Sequence, residues 1–537
     1  MAEDSSTNND GGVFTYTGGG RDAVPRNVVR VRVHPSITRI PAETFYEQKK
    51  LQEVELCEGL LEIGERAFYG CHSLKKIVIP SSVKKIRGQA FSMVQSNIRL
   101  PDVIESIARY AFACNSNITN FRIPSQIVST PDGMFSACKA MFSAEIPETV
   151  TRIEQSTFSQ CHSLRNVAIP PSASVDPSSF LPFGRNDEGF FHHLFCGDLL
   201  QLFGEPSPLI STQIINALKH RFDNLPIHKM LYYQSYINVT SDELNNATEV
   251  RISRRRTKLN PSGSQQDCLG MTPLHIMACS TVQNISLYRV LIDKYPQTLV
   301  IEDRWGASPL LYAVWGRAPD EIVKFLVESY LSLYPKYEFN WTGMITTLGT
   351  VGAPVMIIQN LLDLQEGSFP DQAINWDGII DKLAVEQNEN IDGFDSKREP
   401  FQFLVKCSLM GRINAIGLKH YRDNVINKVM SPGFNMPYDV AEGTWLNDIR
   451  SKLRDIEYEY DKLKEATTLL ELALWKMELN EGQNKTLGRQ HKKMKIDRKQ
   501  HRVSCGAEIV IQHVLPYLLL SSSELRSANE ILDEYYH

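Results

Sequence analysis

Long apolar runs are missing from this 537-residue chain. The longest candidate, Ile509 to Leu520, is interrupted by Gln512, His513 and Pro516, and a membrane-spanning helix takes roughly 20 apolar residues. No membrane association is expected. The ten cysteines include no C-x-x-C pair, which argues against a zinc ribbon or a thioredoxin-like redox centre. Several stand at apolar positions, as reduced core thiols do, so an intracellular chain, cytoplasmic or nuclear, without disulfides is expected. Charge of one sign is scarce as well: 57 Lys and Arg against 62 Asp and Glu leave a net charge of -5. No chain-wide attraction to nucleic acid or a membrane surface follows from that balance. Residues 1–26 open on MAEDSSTNNDGG, with neither the basic start nor the apolar core of a secretory signal; they read as a disordered tail. Also absent are a P-loop, a Rossmann glycine pattern, a G-x-S-x-G elbow, an H-E-x-x-H pair and the kinase signatures, so no catalytic residue, cofactor or metal site is expected. An enzyme with a dispersed site is the minor alternative.

What the chain has is periodicity. Phenylalanines stand at Phe45, Phe68, Phe91, Phe112, Phe135, Phe158 and Phe180, at spacings of 23, 23, 21, 23, 23 and 22 residues. Five residues before them come Ile40, Ile63, Ile86, Ile107, Thr130, Ile153 and Val175, and Pro80, Pro101, Pro124, Pro147 and Pro170 each close a short strand-like run. A repeat of this length describes one coil of a solenoid, which buries its apolar side only by stacking on its neighbours. The pattern I-x-x-x-A-F-x-x-C-x-x-L-x-x-I-x-I-P over residues 27–183 resembles the BspA-like class of leucine-rich repeats. Cys71, Cys138 and Cys161, each three residues after a Phe, read as core thiols, because two histidines far apart along the stack do not complete a zinc site.

In such a solenoid the outward strand positions are free to bind. They fall at Gln52, Glu53 and Glu55; Lys75, Lys76 and Val78; Asn97 and Arg99; Thr119, Asn120 and Arg122; Phe142, Ser143 and Glu145; Arg165, Asn166 and Ala168. Lys75, Lys76, Arg99, Arg122 and Arg165, with Phe142 as an aromatic anchor, make a candidate face for an acidic segment of a partner protein. A solvated sheet whose basic residues guard against aggregation explains the same pattern.

After residue 183 the texture becomes helical. Residues 184–260 read as a helical bridge and loop, whose histidines (His192, His193, His220, His228) lack the further ligands of a metal site. Residues 261–345 contain Asp267-Cys-Leu-Gly270-Met-Thr272-Pro273-Leu274-His275, a close copy of the ankyrin pattern, and a second copy from Asp303 through Pro309 to Ala313. In the second copy Tyr312 replaces a residue that is usually small, and a worn third copy begins near Trp341. Residues 346–440 read as further helices. They hold a calcium-loop mimic from Asn388 to Glu399, which is better read as a polar loop, since it starts on Asn and is followed by Pro400. From Leu446 to Met477 a 3-4 apolar spacing marks a long helix within residues 441–537, either a dimeric coiled coil or a hairpin with the apolar end segment. Basic runs at 251–258 and 491–502 read as solvated loops, with a nucleic-acid role as the alternative.

These features together, including Arg221-Phe-Asp-Asn-Leu-Pro-Ile-His-Lys229, resemble a large family of leucine-rich-repeat proteins expanded in diatoms. The resemblance implies architecture and no catalytic residue. The expected fold is an α+β multi-domain repeat protein: a BspA-like β-solenoid, then an ankyrin-like α-helical array and C-terminal long helices. The expected function is a non-enzymatic scaffold for protein partners.

Overall fold

The computed structural model describes residues 9–10, 13–180, 208–253 and 256–387, with short pieces at 199, 400, 403–405, 407–408 and 458. The calcium-loop mimic, the 3-4 helix from Leu446 and the basic run at 491–502 lie outside the described residues. The chain divides into two compact units, residues 1–401 and 402–537, and everything below concerns the first.

The solenoid forms because each coil places one ring inward at the same height. Consecutive rings from Phe45 to Phe180 stack with centroids 5.0, 5.3, 5.8, 6.0, 5.7 and 5.4 Å apart and planes within 19° of parallel. The column is buried along its length. Around each ring from Phe45 to Phe158 the backbone turns through two left-handed residues, for example Gln89 and Met93 about Phe91, which aims the side chain at the axis. The core cysteines close the same turns: the thiols of Cys71, Cys138 and Cys161 donate to the carbonyls of Phe45, Phe112 and Phe135, each at 3.1 Å. Burial pushes Cys71 and Cys161 up to about 12, so they stay protonated.

Parallel strands line two sides of the stack. One side carries Val13–Tyr16, Arg30–Val33, Glu53–Glu55 and Lys76–Val78, and further along Asn120–Arg122, Ser143–Glu145 and Asn166–Val167. The other side carries two-residue strands such as Arg39–Ile40, Glu62–Ile63 and Lys85–Ile86. The solenoid starts earlier than the sequence suggests. Residues 13–26, read as part of a disordered tail, contribute a strand in register with Arg30–Val33 and the ring of Tyr16, which meets Phe45 edge-on at 5.4 Å.

The helices are α1 (Pro208–Lys219), α2 (Pro226–Tyr232), α3 (Gln234–Ile237), α4 (Ser241–Ala247), α5 (Pro273–Cys279), α6 (Ile285–Lys294), α7 (Pro309–Trp315), α8 (Asp320–Leu333), α9 (Trp341–Thr350), α10 (Val355–Ser368) and α11 (Trp376–Gln387). Between α4 and α5 the basic run at 251–258 is not a loop: Glu249–Ser253 and Arg256–Leu259 pair as an antiparallel hairpin with one irregularity. Helices α5 to α10 form three consecutive pairs, and the entry turns of the first two repeat a single device. Asp267 accepts from the amides of Leu269 and Met271 at 2.8 and 2.9 Å, and Asp303 accepts from those of Trp305 and Ala307, both at 2.9 Å. Gly270 and Gly306 take the positive φ each turn requires, 77° and 71°; a Cβ on Gly270 would sit 2.6 Å from the amide nitrogen of Arg304. Thr272, Ser308 and Asn340 then cap α5, α7 and α9. His275 ties one pair to the next, its Nδ1 accepting from the Thr272 amide while Nε2 donates to the Ala307 carbonyl at 3.1 Å.

Replacing Phe91 by Ala removes the middle of the ring column. An unfolding free energy lower by about 3 to 5 kcal/mol is expected in urea titration, with a larger loss than for any single substitution on the exposed strand face.

Candidate partner-binding face

The site begins with what the helices do to the solenoid. Helices α2 and α3 lie against the strands of the last rungs, and their tyrosines serve the strand backbone. The Tyr232 hydroxyl donates to the Ala144 carbonyl at 2.6 Å and accepts from the amides of Ile146 and Ala168 at 3.2 and 3.0 Å. Burial pushes that phenol up to about 12, so it remains a neutral donor. The Tyr236 hydroxyl is 2.8 Å from the carbonyls of both Ile123 and Glu145.

Below this contact sits Arg221, whose side chain has no solvent exposure. Its Nε donates to Asp267 at 2.7 Å, and Nη1 reaches Asn166 Oδ1 at 2.8 Å and the Val167 carbonyl at 2.9 Å. Burial opposes its charge, and the Asp267 carboxylate more than compensates, raising its pKa. The same aspartate organises the first helix-pair turn, so one guanidinium joins the last rungs to the first pair. His228 lies beside it, buried, its Nε2 3.1 Å from the Gln265 carbonyl; burial drives its pKa down to about 4, and it is neutral.

Turns of the helix pairs complete the cover. Glu145, fully buried, accepts from Ser280 Oγ at 3.2 Å and the Thr281 amide at 2.6 Å, and also from Ser235. Phe142 packs against Trp315 and Tyr312 with centroids 4.8 and 5.4 Å away. Tyr312, the residue that departs from the ankyrin pattern, is thus a docking residue.

The six residues expected to form one partner face therefore part company. Lys75, Lys76 and Arg99 are exposed. Arg122 is half-covered, stacked 4.3 Å over the Tyr236 ring and paired with Asp102 at 3.2 Å. Phe142 and Arg165 are buried, the latter between the rings of Trp305 and Trp315 at 5.2 and 5.3 Å. The expectation that Phe142 and Arg165 face solvent is corrected: Phe142 is an anchor, but for the chain's own helices. Thr119, Asn120, Ser143, Glu145, Asn166 and Ala168 are buried too.

What stays open is the first half of the face. There charges alternate between rungs: Arg32 meets Glu55 at 2.6 Å, Arg30 meets Glu53 at 3.9 Å, and Lys76 also pairs with Glu53. Lys75 and Arg99 have no carboxylate within ion-pair distance among the described residues, and Val78 is 71% exposed. No group of three His, Cys, Asp or Glu comes together to hold a metal among the described residues, and none of their helices is long and apolar enough to cross a membrane.

Comparison with known proteins gives the solenoid a class. Residues 26–96 and 62–181 match the model for the BspA type leucine rich repeat region, in six copies. Solved structures that resemble the chain include a leucine-rich repeat protein from Bacteroides ovatus, 23% identical with a TM-score of 0.29, the match covering 30% of this chain and 48% of that one. The T. pallidum leucine rich repeat protein is also 23% identical, with a TM-score of 0.25 over 29% of this chain and 72% of its own. The chain thus spans about half the length of the Bacteroides protein. No curated protein matches it.

Two outcomes are expected at the junction. Arg221→Met leaves Asp267 buried without its cation and should cost about 3 to 5 kcal/mol, read as a lower urea midpoint and new proteolytic cleavage in α1 and α2. Burial raises the pKa of Glu145 above the ordinary carboxylate range. A carboxyl with a raised folded-state pKa stabilises the fold most below its unfolded value and progressively less as pH rises through the folded one. Protection factors in the 280–282 turn, taken relative to the intrinsic exchange rate at each pH, should therefore rise as the pH is lowered from about 7 to about 5, and Glu145→Gln should abolish that rise.

Proposed function

We propose that this protein, whose residues 26–181 are a BspA-type leucine-rich-repeat region, is a non-enzymatic scaffold that binds a protein partner on the open first half of its solenoid. Leucine-rich-repeat folds are typically interaction scaffolds, and no catalytic family is indicated. The observation that carries the finer reading is the division of the strand face. Its later rungs are occupied by helices of the same chain, whereas Arg30, Arg32, Glu55, Lys75, Lys76 and Val78 are exposed on or beside paired strands about 5 Å apart, and Arg99 is exposed on the next coil, outside any strand. A surface of this kind meets an extended segment along several rungs. The unpaired cations Lys75 and Arg99 favour an acidic one, and Val78 offers an apolar contact between them.

The helices behind the solenoid are ankyrin-like in this reading, on the strength of the repeated Asp-x-x-Gly turns and the Thr272 and Ser308 caps. Their part is to fix the solenoid's covered half and frame its open half. Buried thiols that stay protonated suit a reducing compartment, which supports a cytoplasmic or nuclear location.

The test is capture of partners by the full chain and by a Lys75→Glu/Lys76→Gln variant. Partners identified by mass spectrometry with wild type should be reduced several-fold with the variant, while the unfolding transition moves by no more than about 1 kcal/mol. Undiminished capture of every partner would place the binding surface elsewhere. Loss of capture on nuclease treatment alone would favour the nucleic-acid reading.

A further inference from the structure

Where the open rungs meet the covered ones, a cleft of about 250 Å³ runs between solenoid and helices. Arg99, Phe121 and Arg122 line it from the solenoid, Ser235, Thr281 and Val282 from the helical part. Arg99 and Arg122 hold the same place in successive coils, two residues before Pro101 and Pro124, so both belong to one column of the strand face.

The cleft is rich in cation and poor in acceptor. Arg122 donates to Asp102 through Nη1, but its Nε is buried and has no acceptor among the described residues. Arg317, on the turn after α7, is in the same position: its Nε is buried without an acceptor and its φ is 56°. Burial and then the nearby Arg99 charge depress the Arg317 pKa. Two carboxylates approach. Asp102 is taken by Arg122 and the Ser125 amide, and Glu145 by Ser235, Ser280 and the Thr281 amide. Buried donors without acceptors are costly and uncommon, and the two guanidinium groups that line the cleft, with Arg317 close enough to Arg99 for their charges to interact, repel one another unless an anion joins them.

We propose that this cleft is a carboxylate pocket, built jointly by the solenoid and the helices, which receives an Asp or Glu side chain of a partner segment lying on the open rungs. The proposal rests on the reading of the open rungs as the binding face. Guanidinium groups pair with carboxylates through charge-assisted hydrogen bonds, and the exposed Val282 side chain suits the methylene stem of such a residue. Arg99 and Arg122 follow Val78 at the same repeat position, each two residues before a Pro, and Lys76 lies two residues before Val78, so a single extended segment reaches both the pocket and the open rungs.

The experiment measures fluorescence anisotropy of a labelled octaglutamate peptide on the full-length protein. Wild type is compared with Arg99→Gln, Arg317→Gln and the Lys75→Glu/Lys76→Gln variant, with inorganic phosphate and an oligothymidylate as competitors. Arg99→Gln, at an exposed position, keeps the test valid should Arg317→Gln disturb its turn. Weakening by about tenfold in either arginine variant, with the melting temperature retained, supports the pocket. Weakening in the lysine variant alone overturns the pocket and leaves the open-face reading standing. Weakening in the arginine variants alone supports the pocket and removes the open face. No binding to wild type, or displacement by phosphate or oligothymidylate at lower concentration than by unlabelled octaglutamate, overturns the carboxylate assignment.

Discussion

The buried pair of Arg221 and Asp267 holds the two halves of the first unit in one arrangement. Neither side chain reaches solvent, and a charge in that situation is tolerable only with a full set of partners. Arg221 finds them on both sides, in Asn166 and Val167 of the solenoid and in Asp267 and Met271 of the first helix-pair turn. Asp267 in turn spends its second oxygen on the turn amides. Moving the helices off the rungs would strand the guanidinium, so the same contact that starts the helical array also fixes where it sits. The hydroxyls of Tyr232 and Tyr236 and the carboxyl of Glu145 depend on that placement, because each satisfies groups across the same seam.

The consequence is an asymmetric solenoid. A stack of nearly identical coils ordinarily offers one continuous strand face. Here the later rungs are interior, packed with Phe142, Tyr312 and Trp315, and the earlier ones carry alternating charge. The boundary between them falls at Arg99 and Arg122, where the cations of the open side run into the turns of the covering helices. Exposed strand surface that a bare solenoid would spread along its length is thereby confined to one end.

The solenoid was legible in the sequence because one ring per coil, at a nearly fixed spacing, admits no other stacking. The helix-pair turns were legible for a related reason: Asp267, Gly270 and Thr272 each answer a backbone demand that few residues meet. The covered face was not, because outward-pointing positions of a repeat say nothing by themselves about a neighbour far along the chain, such as Tyr232 at 88 residues from Ala144 or Thr281 at 136 from Glu145. A signal was nonetheless present. Outward charges thin from two per rung (Arg30 and Arg32; Glu53 and Glu55; Lys75 and Lys76) to one (Arg122; Glu145; Arg165), with Thr119, Asn120, Phe142, Ser143, Asn166 and Ala168 at the other places, and such thinning along a strand face is a mark of an interface. Tyr312 was a second signal, a large residue at a position where a free-standing repeat needs a small one. The strand at Val13–Tyr16 was missed because the polar, glycine-rich residues around it outweigh its four-residue run.

The central claim is that the strand face is divided, with later rungs sealed by the chain's own helices and earlier rungs open. Hydroxyl-radical footprinting of the intact protein, read residue by residue by mass spectrometry, tests it directly. Phe142, Tyr312 and Trp315 should be protected to the level of the core ring Phe91, while Val78 is oxidised at a rate typical of surface aliphatic residues. Oxidation of Phe142 and Trp315 at the rates of solvent-exposed aromatic rings would show the later rungs uncovered and contradict the account.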